Sequence, residues 1–433
     1  MMKKVLVIGG GGREHAIVDA LSRSPQVGKI YCAPGNVGIA TQAKCAEDGA
    51  RDSSKSQRDA LVQCIGIDVC DVLALREFAL SHSIDLTVVG PEAALAAGIV
   101  DEFRASGLQI FGHTKAATRI ESSKEFAKQL MIKYNIPTAA YQSFSDYEEA
   151  ICYVRNNPLP CVLKYDGLAA GKGVVIAKTY DEADKALQDM LMHQTFGQGR
   201  VVIEDYLEGP EFSFMCFVNG ADICPMILAQ DHKRAYDGDC GPNTGGMGAY
   251  TVLPFITEED YQYAYTEILQ KTASAMMNEG CPLSGVLYGG LMKTKDGIKV
   301  IEFNARFGDP ETEVVLPLLE SDIYNLFTFD FSNAQWTKKC SMGVVMASKG
   351  YPGKYEKGYV IEGLDDVDAT IYHMGTRRGS DGKVLTDGGR VLMVVATGQD
   401  IHEVRNKVYE EIEKIRCENL FYRSDIAYQA ITN

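Results

Sequence analysis

The stretch richest in potential chemistry is residues 300–316, which reads VIEFNARFGDPETEVVL. Its first residues favour a β-strand, and side chains two apart in a strand point the same way, so Glu302 and Asn304 project together. A carboxylate and an amide oxygen are ligands that Mg²⁺ accepts when it also holds nucleotide phosphates. Arg306 and a turn at Gly308 follow. The pattern predicts a metal and phosphate site, although Glu302 and Asn304 taken alone fit a solvated strand edge better.

A glycine-rich turn near the N-terminus is a second candidate site. A predicted strand at residues 4–8 runs into glycines 9–12, then through Arg13 into a helix. Such a turn aims backbone N–H groups at an anion. The GxGxxG spacing of dinucleotide sites fails, because Glu14 and His15 occupy the positions of the third glycine. We therefore expect a sugar phosphate held partly by Arg13, not NAD, with a plain strand–helix turn as the alternative.

Two further stretches are typical of nucleotide surroundings. A predicted strand ends at Lys164 and is followed by a flexible loop, GLAAGKG, at residues 167–173. Its glycine spacing excludes a Walker A loop but suits a mobile flap over phosphates, with Lys172 equally explained as a solvated loop lysine. Residues 201–213 predict a strand, a bend and a strand. A bend of this kind can offer backbone groups to a base and Glu211 to ribose hydroxyls.

Residues 231–250 are polar and rich in glycine, and we expect them to form only a loop. A long polar loop inside a compact domain is usually functional. Asp231 and Asp237 are its candidate carboxylates. An EF-hand calcium loop is excluded, because the twelfth position from Asp237 is Gly248 instead of an acid.

Composition limits the class of protein. The chain has 433 residues, 46% of them hydrophobic and 23% charged, which is typical of a soluble globular protein of three or four domains. No apolar run suits a membrane helix, and no signal peptide is indicated. The twelve cysteines form no CxxC pair, which argues against zinc and fits a reducing cytoplasm. The net charge of −15 argues against nucleic-acid or anionic membrane partners.

The elements that position these residues follow from the hydrophobic pattern. Strands and helices alternate up to Gly112, which predicts an open parallel sheet with ligands at the carboxyl ends of its strands, where the 90–92 turn lies. A hairpin spanning 284–304 delivers Glu302 and Asn304. After Trp336 a smaller domain of short strands ends with a predicted helix at 401–415.

Taken in order, these motifs resemble the glycinamide ribonucleotide synthetase family, the ATP-grasp ligases of purine biosynthesis. The specific motifs are the long DHKRAYDGDCGPNTGGMGAY loop and RFGDPE, whereas the glycine turn is common. The resemblance implies an α/β fold with four parts. They are an N-terminal open parallel α/β sheet domain (1–112), an ATP-grasp main domain (113–126 and 199–333), a mobile lid (127–198) and a small mixed C-terminal closing domain (334–433).

The resemblance also implies roles for individual residues. Metal ligands for Mg²⁺ or Mn²⁺ would be Glu302 and Asn304. Contacts with ATP would come from Lys115, Lys164, Gly171, Glu204, Leu207 and Glu211. Contacts with the other substrates would come from Gly12, Arg13, Glu14, Gly90, Pro91, Glu92, Asp231 and Arg306. Catalysis would depend on Lys164, Arg306 and Asp237.

The implied reaction has two steps, in which ATP phosphorylates the carboxylate of glycine and the amine of 5-phosphoribosylamine attacks the acyl phosphate. No protein nucleophile is needed, and the chain would act in the cytoplasm as a monomer or weak homo-oligomer, without nucleic-acid or membrane partners. Three positions depart from the usual family pattern: His113, Ala94 and Glu313. Glu313 matters most, because an extra carboxylate near the metal could change the charge balance.

Two other functions fit the same motifs. Another ATP-grasp carboxylate–amine ligase would use the same nucleotide site with a different anion at the glycine turn. A nucleotide-responsive binding protein would bind ATP without turnover, but the presence of Glu302, Asn304, Lys164 and Arg306 argues against a decayed site. An NAD oxidoreductase is disfavoured by the glycine spacing.

Overall fold

The computed structural model describes residues 2–42, 60–167 and 173–431. Within these ranges no helix has the length and apolar character needed to cross a membrane. Residues 47–59, for which the sequence predicts a surface loop, lie outside the described part of the chain.

The N-terminal part is an open sheet whose strands alternate with helices. Its elements are β1 (Lys3–Gly9), α1 (Gly12–Ser22), β2 (Val27–Pro34), α2 (Val37–Gln42), β3 (Leu61–Cys64), α3 (Val72–His82), β4 (Leu86–Val89), α4 (Glu92–Ala97), α5 (Ile99–Ala105) and β5 (Ile110–Phe111). The strand order is β3-β2-β1-β4-β5 and every pairing is parallel. The predicted parallel α/β domain is confirmed, and the 9–12 and 90–92 turns lie at the carboxyl ends of neighbouring strands.

The sequence of residues 115–134 predicts a helical stretch with Lys115, Lys124 and Lys128 on a basic side. The structure has two helices there, α6 (Lys115–Ser122) and α7 (Lys124–Lys133). The break falls at Ser123 because its hydroxyl caps the second helix by accepting a hydrogen bond from Phe126 N at 3.2 Å. The expected basic side is only partly present. Lys115 is exposed, but Lys128 is 2% exposed and points into the protein.

The lid is a small antiparallel sheet with two helices. Its elements are β6 (Tyr141–Phe144), α8 (Tyr147–Arg155), β7 (Cys161–Tyr165), β8 (Val174–Ala177), α9 (Tyr180–Leu187), which continues as a π-helical turn, and β9 (Val201–Asp205). The strand order is β6-β9-β7-β8. Strand β9 pairs with both β6 and β7, so the lid sheet extends past residue 198, where the sequence analysis ends the lid.

The central part carries the longest strands. Its elements are β10 (Glu211–Asn219), β11 (Asp222–Pro225), β12 (Ala229–Asp231), β13 (Arg234–Tyr236), β14 (Cys240–Asn243), β15 (Gly248–Thr251), α10 (Glu258–Tyr263), a π-helical stretch (Ala264–Gln270), α11 (Lys271–Asn278), β16 (Ser284–Thr294), β17 (Gly297–Asn304), α12 (Thr312–Val315) and α13 (Ile323–Phe327). The expectation that 231–250 is only a loop is wrong. Positive φ angles at Gly238 and Asp239 close a tight hairpin between β13 and β14.

The C-terminal part continues the central sheet. Its elements are β18 (Cys340–Ser348), β19 (Thr370–His373), β20 (Thr376–Arg378), β21 (Val384–Thr386), β22 (Arg390–Gly398), α14 (Ile401–Ile412), β23 (Leu420–Phe421) and α15 (Tyr428–Ile431). Strand β18 pairs with β15, which produces the order β17-β16-β10-β12-β15-β18-β22-β19 in a ten-stranded sheet that also includes β11 and β23. The sheet therefore crosses the predicted domain boundary at residue 333.

Aromatic packing fixes the N-terminal sheet to the central part. The ring of Phe111 in β5 lies 4.8 Å from that of Phe327 and 6.5 Å from that of Phe307, measured between centroids. Phe217 in β10 packs edge-to-face on Phe307 at 5.9 Å. All four rings are at most 1% exposed, so this cluster is a shared core between the two parts.

Gly209→Ala should destabilise the fold strongly. Gly209, in the connection from β9 to β10, has a φ of +149°, and a Cβ there would lie 2.1 Å from the carbonyl oxygen of Lys293. We expect the free energy of unfolding to fall by about 2 kcal/mol or more, measured by urea unfolding. Gly66→Ala is the control, because no atom lies within 4 Å of its added Cβ. Equal stability of the two variants would contradict the prediction.

Candidate active site

A cavity of 470 Å³ lies where the four parts of the fold meet. Its walls include Arg13 from the N-terminal part, Tyr165 from the lid, Asn304 from the central part and Arg390 from the C-terminal part. A more open groove of 530 Å³ beside Trp336 contains none of the residues that the sequence analysis assigns to the site. The first cavity is therefore the candidate active site.

Strand β17 brings Glu302 and Asn304 to one wall of this cavity. The amide of Asn304 is hydrogen-bonded when its nitrogen faces Phe303 O at 3.3 Å and Glu121 Oε1 at 3.2 Å, an orientation that turns the amide oxygen away from that carboxylate. Burial alone would raise the pKa of Glu302, but Lys233 and Lys164 lower it below its ordinary value. An ionised carboxylate beside a free amide oxygen suits a hard divalent cation, so these residues fit Mg²⁺.

Lys164 lies in a buried charge cluster next to this wall. Its Nζ donates to Glu204 Oε1 at 2.9 Å and to Ile301 O at 2.8 Å. The other oxygen of Glu204 pairs with Lys128 Nζ at 3.0 Å. Burial lowers the pKa of Lys128 to about 8, although Glu204 partly offsets it. Glu204 thus holds two buried lysines between the lid and β17.

A lysine of the cavity itself comes from α7 and not from α6. Lys124 lines the cavity and its Nζ lies 3.5 Å from Gly167 O, at the start of the predicted flap. Lys115 lies outside, exposed at the start of α6, with its backbone N–H bonded to Asp101. Lys124 was predicted on the basic side of this segment but was not assigned to the site. The available signal in the sequence was a lysine directly after the helix cap Ser123, because the helix dipole disfavours a cation at a helix N-terminus.

The hairpin region supplies Asp231 and Lys233 to the cavity. Lys233 Nζ pairs with Glu211 Oε2 at 2.9 Å, which joins the hairpin to the start of β10. Burial raises the pKa of Asp231 to about 7, although Lys233 opposes the shift. Lys233, which the sequence analysis named only as part of the loop, is therefore the cation shared by Glu211 and Asp231.

At the glycine turn, Glu14 is held inside the N-terminal part while Arg13 reaches the cavity. Glu14 accepts from Gly11 N at 2.7 Å and from Arg13 Nε at 2.6 Å. Gly90 is required beside it, because a Cβ at that position would lie 1.9 Å from Glu14 Oε1. Arg13 also donates to Phe307 O at 3.2 Å. Pro91 and Glu92 line the cavity with Arg13, whereas Gly12 and Glu14 lie behind it.

Arg306 connects the central part to the N-terminal side of the cavity. Its Nη2 lies 3.1 Å from Glu121 Oε1, and its Nε lies 3.6 Å from Glu92 Oε2. The guanidinium of Arg306 faces the cavity in a partly buried position. The two carboxylates compensate its positive charge there.

The C-terminal part contributes two residues that the sequence analysis did not assign to any site. Arg390 Nη1 donates to Gly245 O at 2.7 Å and lies 2.9 Å from Asp309 Oδ1. Tyr351 OH accepts from Gly245 N at 2.9 Å. Both line the cavity. No local pattern could place them there, because Arg390 follows the nearest predicted site residue by more than eighty positions.

Nine of the predicted residues that the structure describes do not line the cavity: Gly12, Glu14, Gly90, Lys115, Lys164, Glu204, Leu207, Glu211 and Asp237. Asp237 is exposed and bonded to Ser424 N at 2.8 Å, and Leu207 lies in the bend between β9 and β10. Gly171 lies outside the residues that the structure describes. Glu311, which was not predicted, does line the cavity, where Ser213 and Tyr288 donate to its Oε1 at 2.7 and 2.9 Å.

The fold and this site define an ATP-grasp ligase: a small antiparallel lid faces a larger antiparallel sheet, with lysines, a carboxylate and an amide at the contact. Comparison with protein families gives the finer assignment. The N domain of phosphoribosylglycinamide synthetase matches residues 3–121, its ATP-grasp (A) domain matches 122–312, and its C domain matches 341–429.

Known proteins agree with these matches. The phosphoribosylamine–glycine ligase of Halalkalibacterium halodurans is 49% identical over 99% of this chain and 97% of its own. The crystal structure of phosphoribosylamine–glycine ligase from Thermotoga maritima is 32% identical, covers 98% of this chain and 100% of its own, and has a TM-score of 0.81. The biotin carboxylase domain of 2-oxoglutarate carboxylase from Hydrogenobacter thermophilus, solved with MgADP, covers 98% of this chain and 92% of its own at 15% identity and a TM-score of 0.70, which shows a shared fold.

The chain belongs to the phosphoribosylglycinamide synthetase family, and the resemblance on which the sequence analysis relied is confirmed. It is an ATP-dependent ligase of the purine biosynthetic class. The residue-level assignments remain predictions.

Glu313, one of the three departures from the family pattern, is fully buried beside α1. Its two carboxylate oxygens have no hydrogen-bond partner among the described residues. A Cβ on Gly12 would lie 2.4 Å from Glu313 Oε1, so the carboxyl group fills the space against the first residue of the helix. Burial, and then the nearby charge of Asp309, raise the pKa of Glu313 well above its ordinary value of 4.5.

Glu313→Gln should stabilise the protein, and increasingly so as the pH rises. The folded protein keeps a proton on Glu313 above the ordinary pKa of 4.5, so wild-type stability is complete below that pH and is lost as pH rises towards the folded pKa. The loss reaches about 1.4 kcal/mol per pH unit in that window, and glutamine does not titrate. Urea unfolding between about pH 5 and pH 8 measures the difference. The exposed Glu259→Gln serves as control, and a pH-independent difference for Glu313→Gln would contradict the prediction.

Proposed function

We propose that this chain joins glycine to 5-phosphoribosylamine with ATP, releasing glycinamide ribonucleotide, ADP and phosphate. The observation that carries the proposal is one cavity with two chemically different ends. Glu302, Asn304 and Lys124 form a metal and phosphate end, and Arg13 with the 90–92 turn forms an anion end at the strand termini of the N-terminal sheet.

At the nucleotide end, Glu302 and Asn304 are the residues that would hold Mg²⁺. The bound cation neutralises charge on the transferring phosphoryl group. Lys124 faces the same wall, and Lys164 reaches it from β7, so the phosphates meet positive charge from two lid-side elements. Glu211 and Lys233 lie 2.9 Å apart at the edge of the cavity and suit ribose hydroxyls and a phosphate oxygen.

At the acceptor end, the protein's own residues orient the sugar phosphate. Arg13 and the N–H groups of the 9–12 turn would bind the 5-phosphate, and Arg390 would bind it from the opposite side. Asp309 keeps Arg390 in place at 2.9 Å. The amine would then face the centre of the cavity, near Arg306 and Glu311.

The chemistry needs positioning and charge stabilisation more than a protein nucleophile. A carboxylate oxygen of glycine attacks the γ-phosphorus of ATP, and ADP leaves. The amine nitrogen of phosphoribosylamine attacks the acyl carbon, phosphate leaves, and the nitrogen loses a proton to form the amide. Arg306 stabilises negative charge on the acyl phosphate. Closure of the lid sheet keeps water from hydrolysing that intermediate.

Several finer points belong to the same proposal. Mn²⁺ fits the oxygen ligands of the metal site as an alternative to Mg²⁺. The chain acts in the cytoplasm on small-molecule substrates, and neither nucleic acid nor a membrane takes part. It works as a monomer or weak homo-oligomer.

The proposal is tested by ADP release with phosphoribosylamine formed in situ, leaving out glycine, phosphoribosylamine or Mg²⁺ in turn. Turnover should require all three and give an amide of the expected mass. Glu302→Ala should abolish turnover while the protein stays folded, by circular dichroism. ADP release that ignores phosphoribosylamine would reject the acceptor and leave another carboxylate–amine ligase. Tight ATP binding without any turnover would favour a nucleotide-binding protein.

Arg390→Met should weaken binding of phosphoribosylamine and leave binding of ATP unchanged. We expect KM for phosphoribosylamine to rise by about tenfold or more, because one charged phosphate contact is lost, with KM for ATP nearly unchanged. Arg377→Met is the matched control, since Arg377 lies in strand β20 of the same C-terminal part with its side chain 48% exposed. Steady-state kinetics with each substrate varied gives the result. A change confined to KM for ATP would contradict the assignment of Arg390 to the phosphoribosylamine end of the cavity.

A further inference from the structure

The end of the chain holds a buried arginine that is far from any predicted site residue in the sequence. The side chain of Arg423 is fully buried. Its Nε and Nη2 donate to the two oxygens of Asp425, each at 2.8 Å, and its Nη1 donates to Asp239 Oδ1 at 2.9 Å and to Arg234 O at 3.0 Å. One guanidinium therefore joins its own segment to the first strand and to the turn of the β13–β14 hairpin.

Neighbouring residues repeat this connection. Ser424 N donates to Asp237 Oδ1 at 2.8 Å, and Gly238 N donates to Asp425 Oδ2 at the same distance. Tyr428 OH donates to Asp239 Oδ2 at 3.0 Å. We call residues 423–428 the C-terminal latch. It places charged or polar partners against the three residues that form the tip of the hairpin, 237–239.

His232, just before β13, connects the latch to the start of the hairpin. It is 3% exposed, and its Nε2 accepts from Ala427 N at 3.1 Å. Because Nε2 is the acceptor, the ring proton is on Nδ1, which faces Asp239 Oδ1 at 3.8 Å. The next residue is Lys233, whose carbonyl accepts from Thr244 N at 2.7 Å. Latch and hairpin together thus fix the backbone from which Lys233 reaches Glu211.

We propose that Arg423 is a positioning residue, which holds Lys233 at the nucleotide end of the cavity by locking the β13–β14 hairpin to the C-terminal latch. Arg423 lies outside the cavity and touches no substrate. Its effect on the reaction passes through the hairpin. The inference rests on the proposed function for its kinetic assay and extends it to a residue that is outside the site.

A double-mutant cycle with Arg423→Met, Lys233→Met and both together tests the proposal. Arg423→Met should lower kcat/KM for ATP by on the order of a hundredfold, as misplacement of a binding group does. In the Lys233→Met background the same substitution should change kcat/KM by less than about threefold, because the group that it positions is already gone. A purely structural role would give equal fold losses in both backgrounds, and that outcome would overturn the proposal.

The same double-mutant cycle can be measured without turnover, with the affinity for ADP and Mg²⁺ from calorimetry as the readout. If the wild type bound nucleotide but formed no amide from glycine and phosphoribosylamine, the proposed reaction would be wrong. The calorimetric cycle would still test whether the latch positions Lys233. Arg416→Met is the control, since Arg416 is 64% exposed in the same part of the fold and 3.8 Å from Glu362. Should Arg423→Met not fold, Asp239→Asn takes its place in the cycle, because Asp239 is 40% exposed.

Discussion

The site depends on keeping many charged groups partly out of water without leaving any of them alone. An isolated buried charge costs several kcal/mol, and a buried pair is tolerated when its geometry and hydrogen bonds are good. In this cavity Arg306 lies between Glu121 and Glu92, Arg390 beside Asp309, and Lys233 beside Glu211. Because each of these three cations already has a carboxylate partner, the cavity holds positive charge without leaving any of the three unpaired.

The same pairs hold the parts of the chain together. Arg306 belongs to the central part and Glu92 to the N-terminal sheet, and Arg390 belongs to the C-terminal part and Asp309 to the central part. The backbone of His373 donates to His15 Nδ1 at 2.9 Å, which adds a direct contact between the two ends of the fold. The charged side chains of the cavity therefore also hold the parts of the fold together. A substitution in one of these pairs changes the charge of the cavity as well as a contact between two parts.

Much of this arrangement was readable from the sequence. The parallel N-terminal sheet followed from alternating hydrophobic runs, and Glu302 and Asn304 were placed on one wall by the two-residue period of a strand. What sequence could not supply is contact between distant segments. Arg390 and Tyr351 come from a part with no local motif for chemistry, and Lys124 rather than Lys115 faces the cavity because a serine cap divides one predicted helix into two. The hairpin within 231–250 was missed because glycines mask the alternation on which strand prediction depends.

The continuous sheet has a consequence for how the chain can be divided. Strand β15 hydrogen-bonds to β18 along Gly248–Tyr250, so a cut between the central and C-terminal parts would leave that strand with unpaired N–H and C=O groups. An unpaired strand edge invites pairing with another chain. The residues after 333 therefore form the second half of a shared sheet and are not a separate module. Gene fusion or recombination could insert sequence between the two halves, but each half needs the other to protect its edge.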